Sequence, residues 1–179
     1  MKFWAIRHPP VDRKGRCIGQ TVIGTTMAVE RAVELVQEKA LIRPHRLYSS
    51  DLPRCAELAR SLAKVWCCPV DVTPQIREMN FGDWEGRTYD ELYTKDGDRW
   101  QRWCENWQTQ APPNGESLEQ FTQRVKDWLS EQSFTEPTLI VTHAGVLRVL
   151  QVLSGEDWDQ AMETTHSYLE WQRFVLTEL

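Results

Sequence analysis

The sequence predicts an α/β fold in which a mostly parallel central sheet is flanked by helices. Short apolar segments alternate with longer amphipathic segments, an order typical of parallel strands joined by helices. The most apolar short segment, residues 138–142, leads into a nearly all-apolar segment at 144–153. A helix without a polar face indicates packing against a sheet. The length of 179 residues fits a single domain spanning residues 1–179.

The composition is that of an ordinary globular protein, with 41% hydrophobic and 26% charged residues. It excludes a disordered chain and a fibre. The longest apolar runs are far shorter than the roughly 20 residues that span a bilayer, and no secretion signal is evident. We therefore expect a cytoplasmic protein without a membrane partner. The net charge of −5 argues against nonspecific nucleic-acid binding.

The five cysteines form an odd set, and no two of them have C-x-x-C spacing. Secreted proteins usually pair their cysteines, so we expect reduced thiols, most of them buried as small apolar residues. The histidine and cysteine spacings match no common zinc site, and we expect no metal.

Three short apolar segments in the N-terminal half predict strands, at 2–7, 46–49 and 70–72. Apolar residues at helical spacing predict a helix after each of the first two strands. We expect Thr25 or Thr26 to cap the first helix and Asp51 to cap the second. Pro53 is compatible with the first turn of that second helix.

Residues 80–115 differ from the rest, and we interpret them as a helical cap, or insertion, over the core. They are rich in glycine and proline and hold four tryptophans. Trp100, Trp103 and Trp107 lie three and four positions apart, on one face of a helix. Such a face either packs into a core or stacks on an aromatic ligand, and we favour packing.

The remaining elements of the C-terminal half follow from capping and apolar patterns. Ser117 and Gln120 form a capping-box pattern at the start of an amphipathic helix. Strands are predicted at 138–142 and 168–176, and a helix at 144–153.

Polar residues follow the predicted strands where a parallel sheet binds its ligands, outside the carboxyl ends. These residues are Arg7, His8, Arg54, Glu78 and His143. Two guanidiniums can grip a tetrahedral oxyanion, a neutral imidazole can attack phosphorus, and a carboxyl group can protonate the leaving oxygen. Each also has a structural interpretation: a packed strand-end histidine, a surface ion pair at Arg54, and a solvated acidic run from Glu78 to Glu91. Their joint occurrence at successive strand ends favours function.

Five segments resemble, in order, the signature segments of the histidine phosphatase superfamily, which includes the phosphoglycerate mutases. They are residues 6–8, 49–56, 76–86, 114–117 and 141–148. Their counterparts in the family are R-H-G, S-S-x-L-x-R-A, L-x-E-x-x-x-G-x-W-E-G, G-E-S and V-S-H-G-G-V-x-R. Within the superfamily, residues 78–125 are most similar to the alpha-ribazole phosphatases of cobalamin synthesis.

The resemblance implies a phosphoglycerate mutase-like fold and a phosphatase that needs no metal or other cofactor. His8 would be the nucleophile that becomes phosphohistidine. Arg7, Arg54 and His143 would bind the transferring phosphoryl group. Glu78 would protonate the leaving group and then activate water.

The segment after the nucleophilic histidine departs from the family pattern. Pro9 replaces the usual glycine, and Pro10 follows. Neither has a backbone N–H, so side chains must bind the phosphoryl group there. The family's threonine and asparagine downstream are not evident, which counts against mutase activity. Gln20 lies in a segment that resembles the family's loop before the first helix, and we expect it to contact substrate.

Three functional hypotheses follow. The first is a phosphomonoesterase acting on a small phosphorylated metabolite such as alpha-ribazole 5′-phosphate. The second is a mutase-type phosphotransferase that uses the same site. The third is an inactive family member that only binds phosphate, against which the five intact site residues argue. The expected partner is a small-molecule phosphomonoester, with no nucleic acid, and the sequence predicts no oligomeric state.

Overall fold

A five-stranded sheet forms the centre of the protein in the computed structural model, which describes residues 1–177. The strands are β1 (Lys2–Arg7), β2 (Arg46–Ser50), β3 (Val70–Thr73), β4 (Thr138–Thr142) and β5 (Gln172–Val175). Their order across the sheet is β3-β2-β4-β1-β5. All neighbours are parallel except β1 and β5, which are antiparallel. The predicted mostly parallel α/β fold is therefore confirmed.

Helices cover both faces of this sheet. They are α1 (Val29–Glu38), α2 (Pro53–Trp66), α3 (Tyr89–Asn106), α4 (Leu118–Ser130), α5 (Ala144–Leu153) and α6 (Trp158–Glu163). Side chains of β4 alternate between two hydrophobic clusters, with Leu139 and Val141 facing α1 and α2 and Ile140 facing α4 and α5. No helix among residues 1–177 is long and apolar enough to cross a membrane.

The predicted segments at 2–7, 138–142 and 144–153 coincide with β1, β4 and α5. The predicted final strand at 168–176 is too long, since β5 covers only Gln172–Val175. Leu169 has a φ of 60°, in the left-handed region, which interrupts an extended strand. The predicted capping box is confirmed at the start of α4, where Ser117 and Gln120 exchange hydrogen bonds.

Two predicted helix caps are wrong. The helix α1 begins at Val29 with Ala28 at its N-cap, and the hydroxyls of Thr25 and Thr26 donate to backbone carbonyls instead. Asp51 does not cap α2, because its carboxylate pairs with the Arg77 guanidinium. In both cases the side chain bonds to another polar group, a backbone carbonyl or the Arg77 guanidinium, and not to the helix N-terminus.

Residues 80–115 contain α3 and build a third hydrophobic cluster apart from the two on the sheet. Trp84 is fully buried there, with the rings of Trp100 and Trp103 packed edge-on against it at 5.1 and 5.7 Å. Trp107, at the C-cap of α3, packs against the sheet cluster that contains Phe121. All three tryptophans thus pack, as predicted. That these residues act as a cap stays a prediction.

All five cysteines are free thiols, but fewer are buried than predicted. Cys17 and Cys55 are buried, whereas Cys67 and Cys104 are exposed and Cys68 is half-buried. Cys67 lies in the turn that ends α2, where it adopts a left-handed conformation at the surface.

Candidate active site

The carboxyl ends of β1, β2 and β4 meet at one edge of the sheet because these strands are parallel neighbours. A cleft with a volume of about 180 Å³ opens there. Four of the six residues singled out in the sequence line it: Arg7, His8, Arg54 and Glu78. The other two, His143 and Gln20, lie beside it.

The His8 side chain is held as a neutral imidazole with its free nitrogen at Nε2. Its Nδ1 lies 2.7 Å from the Pro9 carbonyl oxygen, and a carbonyl can only accept, so Nδ1 carries the proton. Burial lowers the pKa of His8 to about 3, with the positive charge of Arg54 acting in the same direction. His8 is therefore unprotonated near pH 7. Pro9 lacks an N–H, yet its carbonyl fixes the tautomer that leaves Nε2 able to attack.

The Arg7 guanidinium extends from the end of β1 into the cleft. It donates to the His166 carbonyl at 2.9 Å and to the Tyr168 hydroxyl at 3.2 Å, and its Cζ lies 3.9 Å from the centre of the Tyr168 ring. Burial lowers its pKa, but an arginine stays charged near neutral pH. Its Nε is buried and has no hydrogen-bond partner among residues 1–177. The Arg7 guanidinium is thus a positive charge held in a fixed position, and its Nε–H makes no hydrogen bond within the described residues.

The Arg54 guanidinium lies in the first turn of α2 and is only 3% exposed, so it forms no surface ion pair. Its two terminal nitrogens donate to the carbonyls of Thr21 at 3.0 Å and Gly19 at 2.5 Å. Burial lowers its pKa as well, and its Nε also lacks a partner in the described chain. A buried cation held only by neutral carbonyls favours an anion beside it.

The Glu78 carboxylate is held at the N-terminus of α5. Its Oε2 accepts the Gly145 N–H at 3.1 Å, and its Oε1 accepts the Met79 N–H at the same distance. A Cβ on residue 145 would overlap Glu78 Oε1, so glycine is required for this approach. The carboxyl group faces the cleft shared with His8, where it can exchange a proton with a leaving oxygen.

His143 lies between β4 and α5, fully buried next to the nucleophile candidate. Its ring centre is 5.2 Å from that of His8, and its Nε2 lies 2.9 Å from the Ser50 hydroxyl. Burial lowers its pKa well below the usual value, and the positive charges around it add to this. His143 is therefore a neutral side chain behind the cleft wall. Its role in phosphoryl binding stays a prediction.

Gln20 contacts the backbone of the site. Its Nε2 donates to the Glu78 carbonyl at 3.2 Å, and its Oε1 accepts from Arg77 at 3.5 Å. Direct contact of Gln20 with substrate stays a prediction, because the side chain does not line the cleft.

Most of the outer cleft wall was not predicted from the sequence. Missed are two further arginines and three aromatic residues that contribute to this wall: Arg13, Arg148, Phe81, Phe121 and Trp158. Trp103 and Trp107, which the sequence singles out as one helical face, also line the cleft. Arg148 closes one of the family-like segments and could have been singled out from it. Nothing local marks Arg13 or Trp158, since only the fold brings them to the cleft.

The buried His8 side chain shares a cleft with the half-buried Arg7 and the buried Arg54, at the ligand-binding edge of a parallel sheet. This combination defines a phosphatase of the kind that the sequence resembles. Residues 3–178 match the family described as the histidine phosphatase superfamily (branch 1), and the chain belongs to this family. It is a phosphatase.

Its relatives include named phosphatases. The chain is 33% identical to the adenosylcobalamin/alpha-ribazole phosphatase of Escherichia coli over 84% of its own length and 77% of that protein. It is 32% identical to the metal-independent phosphoserine phosphatase of Arabidopsis thaliana, over 81% and 65% of the two chains. The crystal structure of the alpha-ribazole phosphatase from Shigella flexneri superposes with a TM-score of 0.85 at 30% identity, covering 97% of this chain and 89% of that one.

Proposed function

We propose that this phosphatase is a metal-independent phosphomonoesterase that works through a phosphohistidine on His8. The observation that carries the proposal is the state of His8: neutral, with Nδ1 bound to the Pro9 carbonyl and Nε2 free. Arg7 and Arg54 supply fixed positive charge at the same cleft. A neutral nucleophile beside two cations favours attack on a phosphoryl dianion.

The reaction has two steps. In the first, His8 Nε2 attacks phosphorus and the bond to the leaving oxygen breaks, while protonated Glu78 gives its proton to that oxygen. In the second, water attacks the phosphohistidine and Glu78 accepts the proton, which releases inorganic phosphate and restores neutral His8. Arg7 and Arg54 stabilise the charge on the non-bridging oxygens in both steps.

The substrate is a phosphomonoester whose leaving alcohol carries a flat aromatic base, and alpha-ribazole 5′-phosphate is the leading candidate. Its benzimidazole can stack on aromatic side chains of the outer cleft wall. Two edge-to-face pairs hold such rings there, Phe81 with Trp103 at 5.9 Å and Trp107 with Trp158 at 6.0 Å. The similarity to two alpha-ribazole phosphatases supports the same choice.

Hydrolysis assays test the proposal on alpha-ribazole 5′-phosphate, phosphoserine and p-nitrophenyl phosphate, each with and without EDTA. We expect the highest kcat/KM on alpha-ribazole 5′-phosphate and no effect of EDTA. Loss of activity in EDTA contradicts metal independence, and a preference for phosphoserine contradicts the substrate. Isomerisation of phosphoglycerate supports the phosphotransferase instead, and phosphate binding without any turnover supports the inactive member.

Glu78→Gln should slow the hydrolysis of ribose 5-phosphate far more than that of p-nitrophenyl phosphate. An alkoxide needs a proton to leave, whereas nitrophenolate departs without one. General acid catalysis contributes about a hundredfold or more, which sets the expected loss on ribose 5-phosphate. Single-turnover phosphorylation of the enzyme is the measurement, because it excludes the later attack by water.

Two variants accompany that experiment. Gly145→Ala should also lose more activity on ribose 5-phosphate than on p-nitrophenyl phosphate, because the added Cβ displaces the Glu78 carboxyl group. This variant removes no carboxyl group from the protein. Asp83→Asn is the matched control, since Asp83 is exposed and bonds to Asn114 away from the cleft. An equal loss on both substrates for Glu78→Gln, or a selective loss for Asp83→Asn, shows that Glu78 is not the acid.

A further inference from the structure

The Glu85 carboxylate binds an unusual number of backbone groups. It accepts the N–H groups of Gly19 at 3.1 Å, Gln20 at 2.8 Å and Thr21 at 3.0 Å, and that of Phe81 at 3.0 Å. The Thr21 hydroxyl donates to it as well. One carboxylate therefore ties the loop 19–21 to the turn after Glu78, more than 60 residues further along the chain.

This carboxylate is a charged anchor and not a proton donor. Burial raises the pKa of Glu85, but the hydrogen bonds from the Thr21 hydroxyl and the backbone N–H groups outweigh it, so the pKa lies below its usual value. Glu85 also does not line the cleft. The interpretation of residues 78–91 as a solvated acidic run is thus wrong for Glu85, which is half-buried. Both oxygens of its carboxylate accept hydrogen bonds.

The carbonyls of the same loop hold a cation of the active site. The N–H groups of Gly19 and Thr21 donate to Glu85. Their carbonyl oxygens accept hydrogen bonds from the two terminal nitrogens of Arg54. Gln20, between them, donates from its side chain to the Glu78 carbonyl. The loop therefore lies directly between the Glu85 anchor and the Arg54 guanidinium.

Residue 19 must be glycine for this arrangement. A Cβ there would overlap the Met79 carbonyl oxygen and Glu85 Oε1, and it would come within 2.6 Å of the Phe81 ring. Without a side chain at residue 19, the loop backbone can approach the Glu85 carboxylate closely enough for three consecutive N–H groups to bind it.

We propose that Glu85 is a positioning residue for phosphoryl transfer. Its carboxylate fixes the loop 19–21, and the carbonyls of Gly19 and Thr21 then hold the Arg54 guanidinium in one orientation at the cleft. The inference rests on the proposed function in one respect, the binding of the phosphoryl group by Arg54. Glu85 itself touches neither substrate nor reacting atoms.

Glu85→Gln is the variant that tests this. The amide has one acceptor oxygen and turns N–H donors toward backbone donors, so several contacts are lost without a change in size. We expect kcat/KM on p-nitrophenyl phosphate to fall about ten- to a hundredfold, the cost of misplacing a catalytic group by about 1 Å. Full activity of Glu85→Gln overturns the proposal.

A double-mutant cycle separates positioning from a general structural role. Because Glu85 acts through Arg54, Glu85→Gln should have little further effect in an Arg54→Lys background. The same loss in both backgrounds overturns the proposal while leaving the proposed function intact. Wild-type activity of Arg54→Lys alone contradicts instead the role of Arg54 in the proposed function.

Two further variants complete the design. Glu91→Gln is the matched control, because Glu91 also accepts a backbone N–H and a hydroxyl, those of Thr88 at the start of α3, without contacting the loop. It should keep wild-type activity. Thr21→Val removes the hydroxyl that donates to Glu85 but keeps the backbone carbonyl that accepts from Arg54. It can replace Glu85→Gln in the double-mutant cycle if that variant does not fold. Its loss should be smaller and should also vanish in the Arg54→Lys background.

Discussion

His8→Ala should abolish turnover and leave the fold intact. No other described group presents a free, neutral imidazole nitrogen to the cleft, and loss of a nucleophile lowers kcat by roughly a thousandfold or more. The side chain lies at the end of β1, beyond the hydrophobic clusters that hold the sheet, so the secondary structure survives. Steady-state kinetics measure the loss of turnover, and thermal unfolding tests whether the fold is intact.

Trapping of the intermediate makes the His8 experiment specific. Wild-type protein quenched during turnover of labelled substrate should carry acid-labile phosphate, and His8→Ala should carry none. His45→Ala is the control, because His45 is exposed and lies before β2, away from the cleft. Turnover by His8→Ala at the wild-type rate, or labelled phosphate on that variant, would falsify the phosphohistidine proposal.

Arg54→Lys should lower kcat by about a hundredfold or more, as expected for a lost transition-state donor. The guanidinium bonds to Gly19 and Thr21 through its terminal nitrogens and still has Nε free. A lysine keeps the charge but has a single ammonium, which cannot hold two carbonyls and a phosphoryl oxygen in one fixed plane.

The division between kcat and KM is the informative part of the Arg54 experiment. A change confined to KM means that Arg54 binds substrate and transition state equally, which contradicts the assigned role. Arg46→Lys is the matched control, since Arg46 lies on β2 and pairs with Asp71 at an exposed site. That variant should match wild-type kinetics.

The sequence by itself determined the elements with a strong local pattern. The strand 138–142 and the helix 144–153 consist mostly of apolar residues. The start of α4 is specified by Ser117 and Gln120, which exchange hydrogen bonds within one turn. The rule that ligands bind at the carboxyl ends of parallel strands then placed His8 and Arg54 at one edge. These inferences succeed because they depend on near neighbours in the chain, or on the topology of the sheet alone.

Only the tertiary structure decided which polar partners each side chain has. Asp51 was expected to cap α2, but Arg77, 26 residues away, binds its carboxylate. One alternative from the sequence placed Glu85 in a solvated acidic run, yet its carboxylate binds a loop more than 60 residues before it. The aromatic wall likewise combines residues of α3, α4 and α6. A local pattern carries no information about such contacts, because the free energy of a hydrogen bond or a ring contact depends on which distant segment folding brings within reach.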